Sequence, residues 1–180
     1  YLQGVQERLG DVVFTGGRLI PNRMAEAEQE AATVGDADAV LVIHLSFGNG
    51  DPLAAFTKIG LPVAVYSQPF SGHDWMYAPR WRKAGMRILL APSSAMSELD
   101  RLAALLRVPA RMRQTKIVLV GNAQGTPDAC NADLVRQAFG CEVVPVSVDA
   151  VVKAHGEVPL PDAEAEAEAC WIAAAKKIVE

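Results

Sequence analysis

Runs rich in Val, Ile and Leu punctuate this chain at 11–16 (DVVFTG), 37–47 (ADAVLVIHLSF), 61–67 (LPVAVYS), 86–92 (MRILLAP), 115–121 (TKIVLVG) and 141–148 (CEVVPVSV). Their hydrophobicity is continuous rather than alternating, as a strand covered on both faces requires. Segments with helical periodicity lie between them. In 93–108, Met96, Leu99, Leu102, Ala103 and Leu106 fall on one stripe, with Ser93 or Ser94 placed to cap its start. Farther along, Thr126 and Pro127 offer an N-cap and a first-turn proline for a helix over 128–139, which Gly140 ends. This alternation predicts an α/β fold of three layers, with a mainly parallel sheet of Rossmann-like or flavodoxin-like type. Right-handed crossovers would place helices on both of its faces.

The boundary between domains is expected in 108–114 (VPARMRQ), where a long helix gives way to a fresh strand at Thr115. This predicts an N-terminal α/β domain over 1–113 and the start of a second α/β domain over 114–180. Residues 1–10 read as the last turns of a helix whose preceding strand lies outside the sequence, and 170–180 stop on a helix. The acids of 162–169 (DAEAEAEA) open that last helix and Lys176 and Lys177 lie near its end, an order that complements the helix dipole. Because Glu164, Glu166 and Glu168 are spaced by two, neighbours point about 200° apart and form a solvated face rather than a metal cage.

Composition excludes several classes. With 180 residues, 51% of them hydrophobic, the chain can bury a sizeable core, so disorder is excluded. A net charge of -4 argues against a nucleic-acid surface. Arg80, Arg82, Lys83 and Arg87 surround Trp81, but they read as a solvated helix face rather than a phosphate site. No apolar stretch reaches the roughly 20 residues needed to cross a bilayer, and no signal peptide is visible, so the expected location is cytoplasmic. The three cysteines, Cys130, Cys141 and Cys170, are far apart and without metal-ligand spacing, which suits buried free thiols in a reducing compartment. The glycines of VGNAQGTPD match neither a dinucleotide nor a triphosphate loop, and a G-x-S-x-G elbow is missing.

Polar residues gather where the apolar runs end. In open parallel sheets that is where ligands bind. The run at 37–47 leads into Gly48, Asn49, Gly50 and Asp51, and the strand at 62–66 leads into Ser67, Gln68 and then His73, with Asp74 and Trp75 following. The run at 115–121 leads into Asn122 and Gln124. His44, inside an apolar run, reads as a satisfied core or subunit-contact histidine rather than a ligand. Gln68 and Asn49 serve either a local turn or a ligand. His73, in a polar loop with Asp74 adjacent, reads as functional, and Trp75 either shields the site or packs beneath it.

The stretch ADAVLVIHLSFGNGDPLAAFTKIGLPVAVYSQPFSGHDWM resembles the N-terminal region of the L-fucose and L-arabinose isomerase superfamily, in which a strand with a His in an "HL" context precedes a helix, a second strand, and a Gln followed by a His-containing cluster. RMRQTKIVLVGNA and EAEACWIAAAKKIVE look like that superfamily's passage into its second domain, so the resemblance spans about residues 10–180. The spacing around His73 departs by a residue or two from the arabinose isomerase pattern.

The resemblance implies an aldose–ketose isomerase acting on a monosaccharide. A divalent metal, usually Mn²⁺, polarises the sugar oxygens while acid and base groups move protons through an enediol. The metal would be bound by residues outside this chain, leaving this portion inactive alone. It also implies a homotrimer or homohexamer in which this domain lines the sugar site of a neighbouring subunit. By that analogy Gln68 and His73 would bind sugar hydroxyls, and the strand-end pattern adds Asp74, Trp75 and Asn49 as substrate-binding candidates. The competing expectation is a non-catalytic sugar or small-ligand binding module of the same fold, for which strand-end polar groups suffice without a metal.

Overall fold

Most of the continuous apolar runs become short parallel strands. The computed structural model describes all residues except 22, 46–50, 69–73, 123–124, 126–130, 174 and 176–180, and the chain divides into two units, Tyr1–Gln114 and Thr115–Glu180. Both are α/β, with helices alternating with parallel strands.

In the first unit, β1 (Val40–His44), β2 (Val63–Ser67) and β3 (Ile88–Pro92) form a parallel sheet in that order. The helices are α1 (Leu2–Leu9), α2 (Met24–Ala31), α3 (Asp51–Thr57), α4 (Asp74–Lys83) and α5 (Ser97–Gln114). All of central β2 is buried. Because side chains alternate along a strand, β2 feeds two cores. Ala64 and Tyr66 pack with Leu99, Leu102 and Leu106 of α5, joined by Leu2 of α1. Val63 and Val65 pack on the other side with Leu53 of α3 and Trp81 of α4. On the outside of that second layer, Ala27 and Ala31 of α2 meet Ala55 and Phe56 of α3.

Three local expectations change in this unit. Residues 11–16 are not a strand. The Phe14 amide donates to the Gln6 side chain, Asp11 is held by Arg107 and Arg111, and Gly16 and Gly17 adopt φ of 68° and 89°, which breaks an extended run. Helix α5 starts at Ser97, so Met96 falls outside the stripe and is 41% exposed, whereas Leu99, Leu102, Ala103 and Leu106 are buried. Ser93 accepts from the Ala95 amide at 3.0 Å and so shapes the turn before α5 rather than its first helical turn. The helix also continues through Pro109 to Gln114, bracketed by the ion pairs of Arg107 and Arg111 with Asp11 and of Arg113 with Asp38.

The basic cluster behaves as a helix face. Trp81 is buried and stacks on Tyr77 at 5.8 Å, while Arg80, Arg82 and Lys83 occupy the last turn of α4, where positive charge complements the helix carbonyls. The Arg82 Nε donates to the Ile88 carbonyl at 3.3 Å.

In the second unit, β4 (Lys116–Val120) and β5 (Glu142–Val146) pair in parallel, with α6 (Ala132–Phe139) between them in sequence. After β5 come α7 (Val148–Glu157), α8 (Leu160–Glu166) and a π-helical stretch, Ala167–Ile172. The start of α6 differs from expectation. Its N-cap is Asn131, whose side chain accepts from the amides of Asp133 and Leu134 at 2.9 and 3.1 Å, while Thr126 and Pro127 lie outside the described residues. An Asn carbonyl suits that position because it satisfies two amides that the first helical turn leaves without partners. Gly140 ends α6 in the left-handed conformation, φ 80°. Ile117, Val118 and Val120 of β4 are all exposed, unlike β2 of the first unit, which is buried throughout.

Of the thiols, Cys141 is fully buried, but Cys170 is exposed on the π-helical stretch, contrary to the expectation of burial, because no apolar layer among the described residues covers that stretch. A hydrogen bond to Glu166 raises the Cys170 thiol above its ordinary range, with desolvation adding to the effect. Cys130, Lys176 and Lys177 lie outside the described residues. Glu164, Glu166 and Glu168 are exposed. No described helix is long and apolar enough to cross a membrane.

Candidate functional site

The carboxyl ends of β1 and β2 are pinned side by side. Parallel pairing sets His44 opposite Ser67 and Ser67 opposite Pro92, so these residues form the last row of the sheet. Alternation puts His44 on the face of Val40 and Val42, and Ser67 on the face of Val63 and Val65, which is the side covered by α3 and α4. Both residues are buried, at 9% and 4% exposure. An apolar sheet face thus ends in an imidazole and a hydroxyl.

Gln68 follows directly. Its amide donates to the His44 carbonyl at 3.4 Å, and the Ser67 carbonyl accepts from the Ser93 amide at 3.0 Å. The Ser67–Gln68 junction is therefore tied to both neighbouring chain segments, and Gln68 itself is partly exposed at the rim. A glutamine there carries both a donor and an acceptor, which suits a hydroxyl-bearing ligand.

Of the remaining predicted residues, two lie on α4. Trp75, in the first turn of α4, is 60% exposed and so does not pack beneath the site. Asp74 begins α4. His73 and Asn49 lie outside the described residues, as does Gln124, and the exposed Asn122 belongs to the other unit. Sequence reasoning placed Ser67 among the strand-end polar groups but set His44 aside as a core or subunit-contact histidine. The available signal was parity: counted back from the strand end, each falls on the same face as two valines.

Among the described residues, no group of three or more His, Cys, Asp or Glu is placed to hold a metal. Some acids are engaged elsewhere: Asp11, Asp38, Asp100, Glu30 and Glu98 each bond an arginine. A groove of about 420 Å³ opens at the other end of the sheet, lined by Pro62, Val63, Arg87, Ile88, Leu105 and Val108 among others. Its walls are chiefly apolar, so it offers a polar ligand far less than the strand ends do.

No protein-family model matches the chain, and a search of curated proteins finds no match. Fold and site define an α/β protein with parallel sheets and a polar strand-end cluster.

Proposed function

We propose that this chain is the N-terminal portion of a metal-dependent aldose–ketose isomerase, and that the first unit lines the sugar site of a neighbouring subunit. The observation that supports this most is the pinning of Gln68 at the carboxyl end of β2, next to His44 and Ser67. In an open parallel sheet that end meets the ligand. The sequence resemblance points to the same segment and adds His73, while the strand-end pattern adds Asp74, Trp75 and Asn49.

In this reading the chain's own residues bind and orient. The Gln68 amide and the His73 imidazole exchange hydrogen bonds with sugar hydroxyls, while Trp75 presents an apolar face to the ring. A divalent metal, Mn²⁺ in the resembling family, is held by residues outside this chain and supplies polarisation of the sugar oxygens. The protein would act in the cytoplasm as a homotrimer or homohexamer, because the wall of one subunit must reach its neighbour.

The test is turnover by the natural full-length protein across a panel of aldoses with Mn²⁺. His73→Ala and Gln68→Ala should each raise KM or lower kcat by about tenfold, the worth of one or two well-placed hydrogen bonds. Unchanged kinetics in both variants would remove the proposed wall.

A second reading, a sugar-binding module without catalysis, is favoured by one observation. Among the described residues no three His, Cys, Asp or Glu gather as a metal would need, and Glu30, Glu98, Asp11 and Asp38 pair with arginines instead. Calorimetric binding of an aldose without Mn²⁺, together with no turnover in its presence, would select this reading.

A further inference from the structure

We infer that His44 is a positioning residue for the strand-end site: with Ser67 beside it, its imidazole holds the end of β2, and hence Gln68, in the orientation that meets a ligand hydroxyl. Three features place it there. The register sets His44 directly opposite Ser67, and adjacent strands lie about 4.8 Å apart, so imidazole and hydroxyl share a face as neighbours. Both residues are more than nine-tenths buried. Every other residue on that face of β1 and β2 is a valine, namely Val40, Val42, Val63 and Val65.

That departure from valine needs a reason. A buried polar group must be satisfied by hydrogen bonding or it destabilises the fold, so a row serving packing alone is best filled with another branched aliphatic side chain. Here the exception falls on two adjacent strands at the same level. It falls at the carboxyl end and not in the middle of the sheet, where the main chain leaves β2 and Gln68 begins. The parallel ladder runs on past this row, the His44 carbonyl receiving the Gln68 amide and the Ser67 carbonyl the Ser93 amide, so Gln68 is the first residue whose side chain lies beyond it. An imidazole can donate from one nitrogen and accept at the other, so it can brace two groups at once, which an aliphatic side chain cannot.

The ligand part of this inference rests on the isomerase reading, whereas the positioning part does not. Both are separable with His44→Phe, which keeps the ring and removes its polarity, and His44→Asn, which returns a donor near the Nδ1 position. Native-state amide exchange at Gln68 and at Leu102 in the α5 core reports positioning without any ligand. In His44→Phe the Gln68 amide should exchange about tenfold faster, the worth of roughly one hydrogen bond, with Leu102 unchanged. His44→Asn should restore most of the protection, and aldose affinity should fall and recover in parallel.

Unchanged Gln68 exchange in His44→Phe would overturn the inference, as would an equal acceleration at Leu102, which marks a merely structural role. If wild-type protein binds no aldose, the isomerase reading fails while the exchange data still decide the role of His44. Should His44→Phe not fold, Ser67→Ala provides the same comparison: faster exchange confined to Gln68 supports the pair, and wild-type exchange overturns it.

Discussion

The Asp11 carboxylate accepts from the Arg107 guanidinium at 2.8 Å across 96 residues of sequence. Arg111, one helical turn on, takes the other oxygen at 2.7 Å, so a single aspartate ties the segment after α1 to the outer face of α5. The Arg107 hydrogen bond, and then that of Arg111, holds the Asp11 carboxyl below its ordinary range against an opposing desolvation effect. Asp100 is lowered likewise, by Tyr1 and then Arg8. A carboxyl lowered on folding contributes stability above its unfolded value, about 3.9, and loses that contribution as pH falls through the lower folded value. Asp11→Asn should therefore lower the melting temperature slightly at pH 7 and make no difference at pH 2. Because the pair is partly exposed, the pH 7 effect should also shrink in 1 M salt. Melting curves across pH and salt test this, and an equal loss at pH 2 would contradict it.

Leu102 and Leu105 lie on the same helix in opposite environments, at 1% and 39% exposure. Leu102→Ala leaves a cavity against Tyr66 and Ala64 and should cost about 2–5 kcal/mol. Leu105→Ala should cost well under half of that. Urea unfolding of both variants, followed by circular dichroism, gives the comparison. Equal losses would mean that α5 is not seated on the sheet as described.

Gly121 closes β4 with φ 74°, and a Cβ built on it would stand 3.3 Å from Cγ2 of Val148. Gly121→Ala thus meets both left-handed strain and crowding, and should destabilise the second unit by about 1–3 kcal/mol. Adding Val148→Ala should recover the crowding share and leave the conformational share, a non-additivity that a double-mutant cycle resolves. Strict additivity would show that the two residues do not meet.

Cys141 is fully buried and Cys170 exposed, so native protein treated with iodoacetamide should label Cys170 while Cys141 stays protected. The raised thiol of Cys170 makes its reaction slower at pH 7 than that of a free cysteine, with the rate rising as pH increases. Glu166→Gln should speed it at pH 7, because the hydrogen bond to Glu166 is the first cause of the raised value. Mass spectrometry of labelled peptides reads both outcomes.

How far the fold was legible depended on whether local pattern or distant partner decided each segment. The runs around Val40–His44, Val63–Ser67, Ile88–Pro92, Lys116–Val120 and Glu142–Val146 announce themselves, since a strand with helices on either side needs apolar residues in unbroken series. The stripe of Leu99, Leu102 and Leu106 is equally local, because helical period alone places those residues on one face. Residues 11–16 carry the same apolar signal but take no strand pairing. Their backbone and acid are captured by Gln6, Arg107 and Arg111, and only Gln6 is near in sequence. The α6 start was less legible, because Thr126 and Asn131 are both capping residue types and a single sequence does not rank them.

For the site, the sequence by itself determined that polar residues follow the strands and that Gln68 sits at the first position beyond β2. Only the tertiary structure decided that His44 belongs with them. The register of β1 against β2 sets an imidazole beside a hydroxyl on a face of valines, and register is a relation between two strands joined by an intervening helix. Composition and period describe what each strand buries. Which buried groups become neighbours is set by how the strands slide against one another, and that follows from packing across the whole sheet.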